Sequence, residues 1–204
     1  MKQYLKIDPW KIIEEGFHEN YNRVTESIFS IGNGKFGQRG NLEEFFSGDS
    51  LQGNYVSGVY YPDKTRVGWW KNGYPEYFAK VLNAPNWLGM KAIIEGEKLD
   101  LASAKVTDFK GELNMQNGKL SKSLNAELSN GKKVAIDSFR FISMANDEIA
   151  VISYSITPLN FSGEIEFILD LDGDIRNADA NYDEQFWKPI GISGDEGYIC
   201  METH

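Results

Sequence analysis

Asp170, Asp172 and Asp174 stand at alternate positions, the spacing of the first three side-chain ligands of a calcium-binding loop. Such a loop also requires glycine at its sixth place and glutamate at its twelfth, and here those places hold Ile175 and Asn181. The run reads instead as the polar end of a strand at Asp170 followed by a turn at Asp172-Gly173. No metal is expected. Paired carboxylates could also serve glycoside hydrolysis, which holds two acids roughly 5 to 9.5 Å apart. Glu43 and Glu44 are neighbours, so on a strand they would point to opposite faces. Glu14-Glu15 would lie on the surface of a helix, and each pair reads as a solvated face. His18 and His204 sit near the two chain ends, too few for a zinc site with the single Cys200. A lone histidine reads as structural or exposed, and a lone cysteine without a nearby base reads as a small buried hydrophobe. The expected list of catalytic residues is empty.

Gly32, Gly34 and Gly37 spell G-x-G-x-x-G after the apolar run Ser27-Ile28-Phe29-Ser30-Ile31. A dinucleotide site needs that turn between a strand and a helix, with an acidic residue about 20 positions on. Gly40-Asn41 follow instead, and Ser57, Gly58 and Val59 occupy the ribose offset. The stretch reads as a glycine-rich strand and turn, with Phe29, Ile31 and Phe36 anchored in a core. Arg39 is the residue here with reach, toward Glu43 or Glu44 or out of the domain.

The aromatic residues carry the richest binding signal. Trp69, Trp70, Tyr74, Tyr77, Phe78 and Trp87 crowd one segment among Gly and Pro. Aromatic faces suit the C–H face of a pyranose, and they equally suit a subunit or domain interface. Trp69, Trp70, Tyr74, Trp87 and Arg39 are therefore candidates for carbohydrate binding or for an interface.

The bulk properties narrow the partners. The net charge is −9, which disfavours nucleic acid, and Lys132-Lys133 is no more than a pair. A neutral ligand such as a sugar suits that balance. Hydrophobic residues are 41% of the 204, enough to build a core, in an ordinary globular composition. The opening MKQYLKIDPWK lacks a signal-peptide apolar run, and no segment approaches the roughly 20 apolar residues of a membrane span. A soluble, cytoplasmic protein is expected.

The elements that must position these residues are mostly strands. Trp10, Ile12, Ile13 and Phe17 approach helical spacing behind Asp8-Pro9, which predicts one short N-terminal helix. Beyond it the period becomes two. Ile165, Phe167, Leu169 and Leu171 alternate with polar neighbours, as do Ile152, Tyr154 and Ile156 before Pro158. Val134 and Ile136 share a face while Phe139 and Phe141 fall one residue out of phase, which predicts a bulge near Asp137-Ser138. Gln116-Asn117-Gly118-Lys119 and Ser129-Asn130-Gly131-Lys132 are hairpin turns by their Asn-Gly pairs, with weaker turn signals at Glu95-Gly96-Glu97 and Asn146-Asp147. From about residue 90 onward, six or so strands follow with no amphipathic helix between them. The expectation is one mainly all-β domain over 1–204, with antiparallel sheets packed face to face.

Glu26 to Glu44, read as ESIFSIGNGKFGQRGNLEE, resembles the opening motif of glycoside hydrolase family 65, the disaccharide phosphorylases. Tyr55–Tyr60, Asn83–Leu88, Leu113–Gly118 and Ser138–Ser143 are similar to further stretches of that family in the same order. Val67-Gly68-Trp69-Trp70-Lys71-Asn72-Gly73-Tyr74-Pro75 is most similar to its maltose-specific branch. The resemblance implies a large β-sandwich of the supersandwich, galactose-mutarotase-like kind, cut short here at its C-terminal end. It also implies a catalytic (α/α)6 barrel outside this chain. There a glutamate would protonate the glycosidic oxygen while inorganic phosphate, as co-substrate, attacks the anomeric carbon with inversion. No other cofactor is implied, and no catalytic position of the family falls on these residues. The implied partners are the barrel, a second subunit in a homodimer and a disaccharide. The competing reading is a free-standing carbohydrate-binding sandwich.

Overall fold

The computed structural model describes residues 4–65, 73, 75–177, 185–193 and 198–203. The chain begins with β1 (Leu5–Ile7), β2 (Lys11–Glu15), a single 3-10 turn (Glu19–Tyr21) and α1 (Asn22–Ile28). Short strands follow: β3 (Ile31–Gly32), β4 (Phe36–Gln38), β5 (Asn54–Val56), β6 (Tyr60–Lys64) and β7 (Tyr77–Val81). Next come β8 (Asn86–Ile94), β9 (Glu97–Lys98), β10 (Lys105–Asn114), β11 (Lys119–Glu127), β12 (Lys133–Ile142) and β13 (Ala150–Pro158). The last are β14 (Ile165–Asp172), β15 (Trp187–Ser193) and β16 (Tyr198–Thr203).

The expected all-β architecture is what forms. One six-stranded antiparallel sheet has the order β1-β2-β10-β11-β12-β13. A three-stranded sheet, β14-β8-β9, packs on it, and small sheets of β3-β4-β5, β6-β7 and β15-β16 surround the pair. Between the two layers, Ala92 and Ile94 of β8 meet Leu124 and Ala126 of β11 and Val134 and Ile136 of β12. Val134, Ile136 and Ile94 are completely buried, and each contributes about 1.5–3 kcal/mol by leaving water. A second cluster, Phe29, Ile31, Leu113, Leu120 and Ile142, lies where α1 and β3 meet the large sheet, with Phe36 packed against it. The anchors expected around the glycine motif are therefore in place. The motif itself is the β3–β4 hairpin, with Gly34 at φ +89°.

Both Asn-Gly turns reverse the chain as expected. Gly118 and Gly131 have φ of +66° and +77°. Asn117 and Asn130 accept the Lys119 and Lys132 amides through their side-chain oxygens at 3.1 and 2.9 Å, which closes each turn locally. Glu95-Gly96 turns β8 into β9, both residues having positive φ.

Two expectations of local structure are corrected. The segment from Trp10 to Phe17 is not a helix: Lys11–Glu15 is a strand paired with both β1 and β10. Ile12 packs inward, but the next inward place on that face is taken by Glu14, which is 3% exposed. A charged residue in a core position broke the alternation and left an apparent helical period. Nor is there a bulge at Asp137-Ser138, since β12 pairs with β11 and β13 without a register shift. Val134, Ile136, Ser138, Arg140 and Ile142 all face inward and are buried, while Phe139 and Phe141 occupy the other face. Register shifts fall elsewhere: on β10 between Thr107 and Lys110, where Asp108 has φ +52°, on β14 between Asp170 and Asp172, and on β15 between Pro189 and Gly191.

Candidate functional site

The segment after Gly40 runs irregularly between the layers, touching the three-stranded sheet through a single bridge from Glu44 to Met90. Because it is not a strand, adjacent side chains need not diverge. Glu43 and Glu44 both turn toward β11 and are each 5% exposed, so the expectation of a solvated pair is corrected. The Lys122 ammonium donates to both carboxylates, 2.5 Å from Glu43 Oε2. Arg140 donates to Glu43 Oε1 and, at 3.2 Å, to the carbonyl of Arg39. Ser138 Oγ reaches Glu43 at 3.3 Å, and Tyr154 Oη donates to Glu44 at 3.0 Å. Two acids and two bases are thus neutralised inside the sandwich, tying one loop to β11, β12 and β13.

The electrostatics follow from that packing. Burial pushes the Glu43 carboxyl up, but Lys122 and Arg140 together outweigh it and hold it at about 2. Burial works against the Lys122 ammonium as well, and the two carboxylates reverse this, leaving it raised above the usual lysine value. Burial, then the Glu44 charge, raises the Tyr154 phenol, which stays a donor. Glu43 therefore has no proton to give near neutrality, and its oxygens are taken up by internal partners.

Beside this cluster lies a cleft of about 340 Å³, bordered by Glu43, Glu44, Phe45, Asn86, Lys91 and Asp170. Its acids Asp170 and Asp172 are engaged too: Asp170 pairs with Lys91, and Asp172 accepts from the Asp174 amide at 3.0 Å. Outside the cleft, Asp174 accepts from Arg176 at 2.6 Å. Among the described residues no group of three or more His, Cys, Asp or Glu is arranged to hold a metal ion. His18 Nδ1, just past the end of β2, lies 3.0 Å from Glu14 Oε1. Burial raises the Glu14 carboxyl, and the bond to His18 moderates that rise. Cys200 is exposed on β16, which corrects the expectation that it is buried.

Arg39 pairs with neither Glu43 nor Glu44. Its Nε donates to the Leu51 carbonyl and its NH2 to the Arg23 carbonyl, both at 2.9 Å, and it lies 3.8 Å from Glu26 Oε2. Glu26, 1% exposed, accepts the Leu51 amide at 2.8 Å, Asn22 Nδ2 at 3.0 Å and the Ser50 hydroxyl. Arg39 and Glu26 thereby fasten the 49–53 loop to α1. A side chain at Gly53 would collide with Arg39, which accounts for glycine there.

Trp69, Trp70 and Tyr74 lie outside the described residues. The strands that flank them in sequence expose Tyr60, Tyr77 and Phe78. Trp87 is half-buried on β8, its ring 5.9 Å from that of Phe36, with a solvent-shielded Nε1 that has no partner. Lys122, Arg140 and Tyr154 were missed from sequence. The available signal was parity: Lys122 falls on the inward face set by Leu120 and Leu124, and Arg140 on the face set by Val134 and Ile136.

The family described as "Glycosyl hydrolase family 65, N-terminal domain" matches residues 12–204. The chain belongs to glycosyl hydrolase family 65. Among relatives it is 44% identical to a maltose phosphorylase of Bacillus subtilis (strain 168), over 99% of this chain and 27% of that protein. It is 30% identical to an alpha,alpha-trehalose phosphorylase of Thermoanaerobacter brockii, over 99% of this chain and 28% of that one. Among solved structures it is similar to a putative kojibiose phosphorylase from the human microbiome, with a TM-score of 0.81 and 30% identity over 94% of this chain and 25% of the other. The chain thus spans about a quarter of the length of the curated relatives it matches. In this family 65 domain, the charged residues of the Glu26–Glu44 stretch named above (Glu26, Arg39, Glu43 and Glu44) all end in internal ion pairs or hydrogen bonds.

Proposed function

We propose that the chain is the non-catalytic N-terminal domain of an inverting disaccharide phosphorylase of the cytoplasm. The full-length protein would convert maltose and inorganic phosphate to glucose and β-glucose 1-phosphate on a C-terminal barrel. The role of residues 1–204 would be to support that barrel and a homodimer, and to border the sugar site. The observation that carries this reading is the 44% identity to a maltose phosphorylase across 99% of this chain but only 27% of that protein. The chemistry of the cleft supports it, because a carboxyl held at about 2 by Lys122 and Arg140 cannot act as a general acid at neutral pH. Phosphorolysis by the full-length protein, assayed with phosphate and a panel of disaccharides, tests the reading. Maltose should be consumed in preference, and residues 1–204 alone should yield no glucose 1-phosphate.

The exposed Tyr60, Tyr77 and Phe78 favour a second reading, a carbohydrate-binding module. Under that reading, a free-standing module, the isolated chain would bind maltose on its own, and the gene would not continue into several hundred residues of helical periodicity. Under the first reading the isolated chain binds no maltose, and in the full-length protein Trp70→Ala raises the sugar KM at unchanged stability if that residue contacts sugar, or loosens the dimer if it packs.

A further inference from the structure

Three described tripeptides share one sequence, Asn-Gly-Lys: Asn33-Gly34-Lys35, Asn117-Gly118-Lys119 and Asn130-Gly131-Lys132. Asn72 of a fourth Asn-Gly pair lies outside the described residues. Asparagine before glycine is chemically labile, because the glycine amide reaches the preceding side-chain carbon without the hindrance of a Cβ. The glycine nitrogen gives its proton to solvent base and bonds to the asparagine Cγ. The Cγ–Nδ2 bond then breaks, and Nδ2 leaves as ammonia with a proton from water. The five-membered imide that results takes up one water at either carbonyl, which leaves aspartate or its β-linked isomer, isoaspartate. One water is consumed overall and one ammonia released, with no oxidation or reduction.

Because the three tripeptides are identical, their surroundings rank them. In each, the side-chain oxygen already accepts the lysine amide, at 3.0, 3.1 and 2.9 Å in chain order. Negative charge gathers on that oxygen during the attack, so all three share this support. They differ at the nitrogen that leaves and the nitrogen that attacks. Asn33 is half-buried, and its Nδ2 donates to the Ser143 and Asp147 carbonyls at 2.8 and 3.0 Å, so its leaving group is held. At Asn130 the attacking nitrogen is held, since the Gly131 amide donates to the Leu128 carbonyl at 3.0 Å. Asn130 Nδ2 also donates to the Ile94 carbonyl at 3.4 Å, and the Asn130 amide to Glu97 Oε2 at 2.9 Å. Asn117 and Gly118 are exposed at the tip of the β10–β11 hairpin. Among the described residues, neither the Asn117 Nδ2 nor the Gly118 amide has a partner.

We propose that Asn117 is a site of spontaneous deamidation, converting ahead of Asn33 and Asn130. A hydrogen bond that must open before reaction slows it severalfold, and the two protected sites each carry more than one such restraint, so a gap of about tenfold follows. The product adds a carboxylate to a net charge of −9, and isoaspartate lengthens the main chain between the paired residues Asn114 and Lys119. The same tip anchors the N-terminal segment, for the Met115 amide donates to the Trp10 carbonyl at 2.8 Å. The site belongs to the hairpin and is independent of the phosphorylase reading.

The test incubates the full-length protein at about pH 8, folded and, in parallel, unfolded in guanidinium chloride. Trypsin then releases residues 24–35, 111–119 and 123–132 as separate peptides, and mass spectrometry follows the change from amide to acid in each. Fragmentation of the 111–119 peptide distinguishes Asn117 from Asn114. In the folded protein Asn117 should convert about tenfold faster than Asn33 or Asn130, and in the unfolded protein the three rates should converge to within about twofold. Gly118→Ala should slow conversion at Asn117 and leave the other two rates unchanged, and Asn117→Gln should remove it. Equal rates in the folded protein, Asn33 or Asn130 leading, an Asn117 that stays intact while folded, or a gap that persists after unfolding would each overturn the proposal.

Discussion

Arg140 on β12 meets Glu43, which lies ninety-seven residues earlier in the chain, and both are at least 95% shielded, with exposures of 1% and 5%. This ion pair, joined by Lys122 and Glu44, makes the middle of the sandwich electrostatic where neighbouring levels are aliphatic. Such a cluster is destabilised far more by losing one member than by losing a complementary pair.

Lys122→Met should therefore cost about 3–5 kcal/mol, because Glu44 loses its cation and Glu43 keeps only Arg140. Adding Glu44→Gln to that variant removes the stranded charge and should recover about half of the loss or more. Urea unfolding of the wild type, the single and the double variant reads both values. Additive costs would contradict the charge-balance account.

The acid limb of stability should carry a contribution from Glu43. Its folded pKa of about 2 lies below the ordinary glutamate value of 4.5, so its stabilisation is complete above 4.5 and is lost as pH falls toward 2. A gap of that size corresponds to about 3 kcal/mol. Glu43→Gln should be less stable at pH 6 and flatter between pH 4.5 and 2 than the wild type, as measured by urea midpoints across that range.

Arg39→Ala should destabilise the chain by about 2–3 kcal/mol, since it deletes two hydrogen bonds to carbonyls and an ion pair to the buried Glu26. Arg39→Lys should not restore the loss, because one ammonium cannot span the Leu51 and Arg23 carbonyls as the guanidinium does. Limited proteolysis should then cut first in the 49–53 loop.

Gly118→Ala and Gly131→Ala should each cost about 1 kcal/mol, as both turns hold φ in the left-handed region. A thermal melt reads the loss. A replacement by asparagine at either site should be better tolerated than alanine.

The hairpins were readable from the residues because their determinants are local. Asn117-Gly118 and Asn130-Gly131 carry both the positive φ and the side-chain acceptor that closes the turn. The strands around Ile136, Ile156 and Ile165 were readable for the same reason, through alternation. The misreadings at Trp10–Phe17 and at Asp137-Ser138 share one cause. Glu14, Ser138 and Arg140 occupy inward places that a pattern of apolar residues cannot flag.

From the sequence alone came the all-β character and the reversals, because alternation and turn chemistry act between near neighbours, while the family came from the resemblance carried by Glu26–Glu44 and the stretches that follow it. Only the folded chain decided that Glu43 and Glu44 turn to one side, that Lys122 and Arg140 are core residues, and that Arg39 serves Glu26. A buried charge is stable only where an opposite charge meets it, and that meeting joins residues about eighty to a hundred positions apart, beyond the reach of any local period.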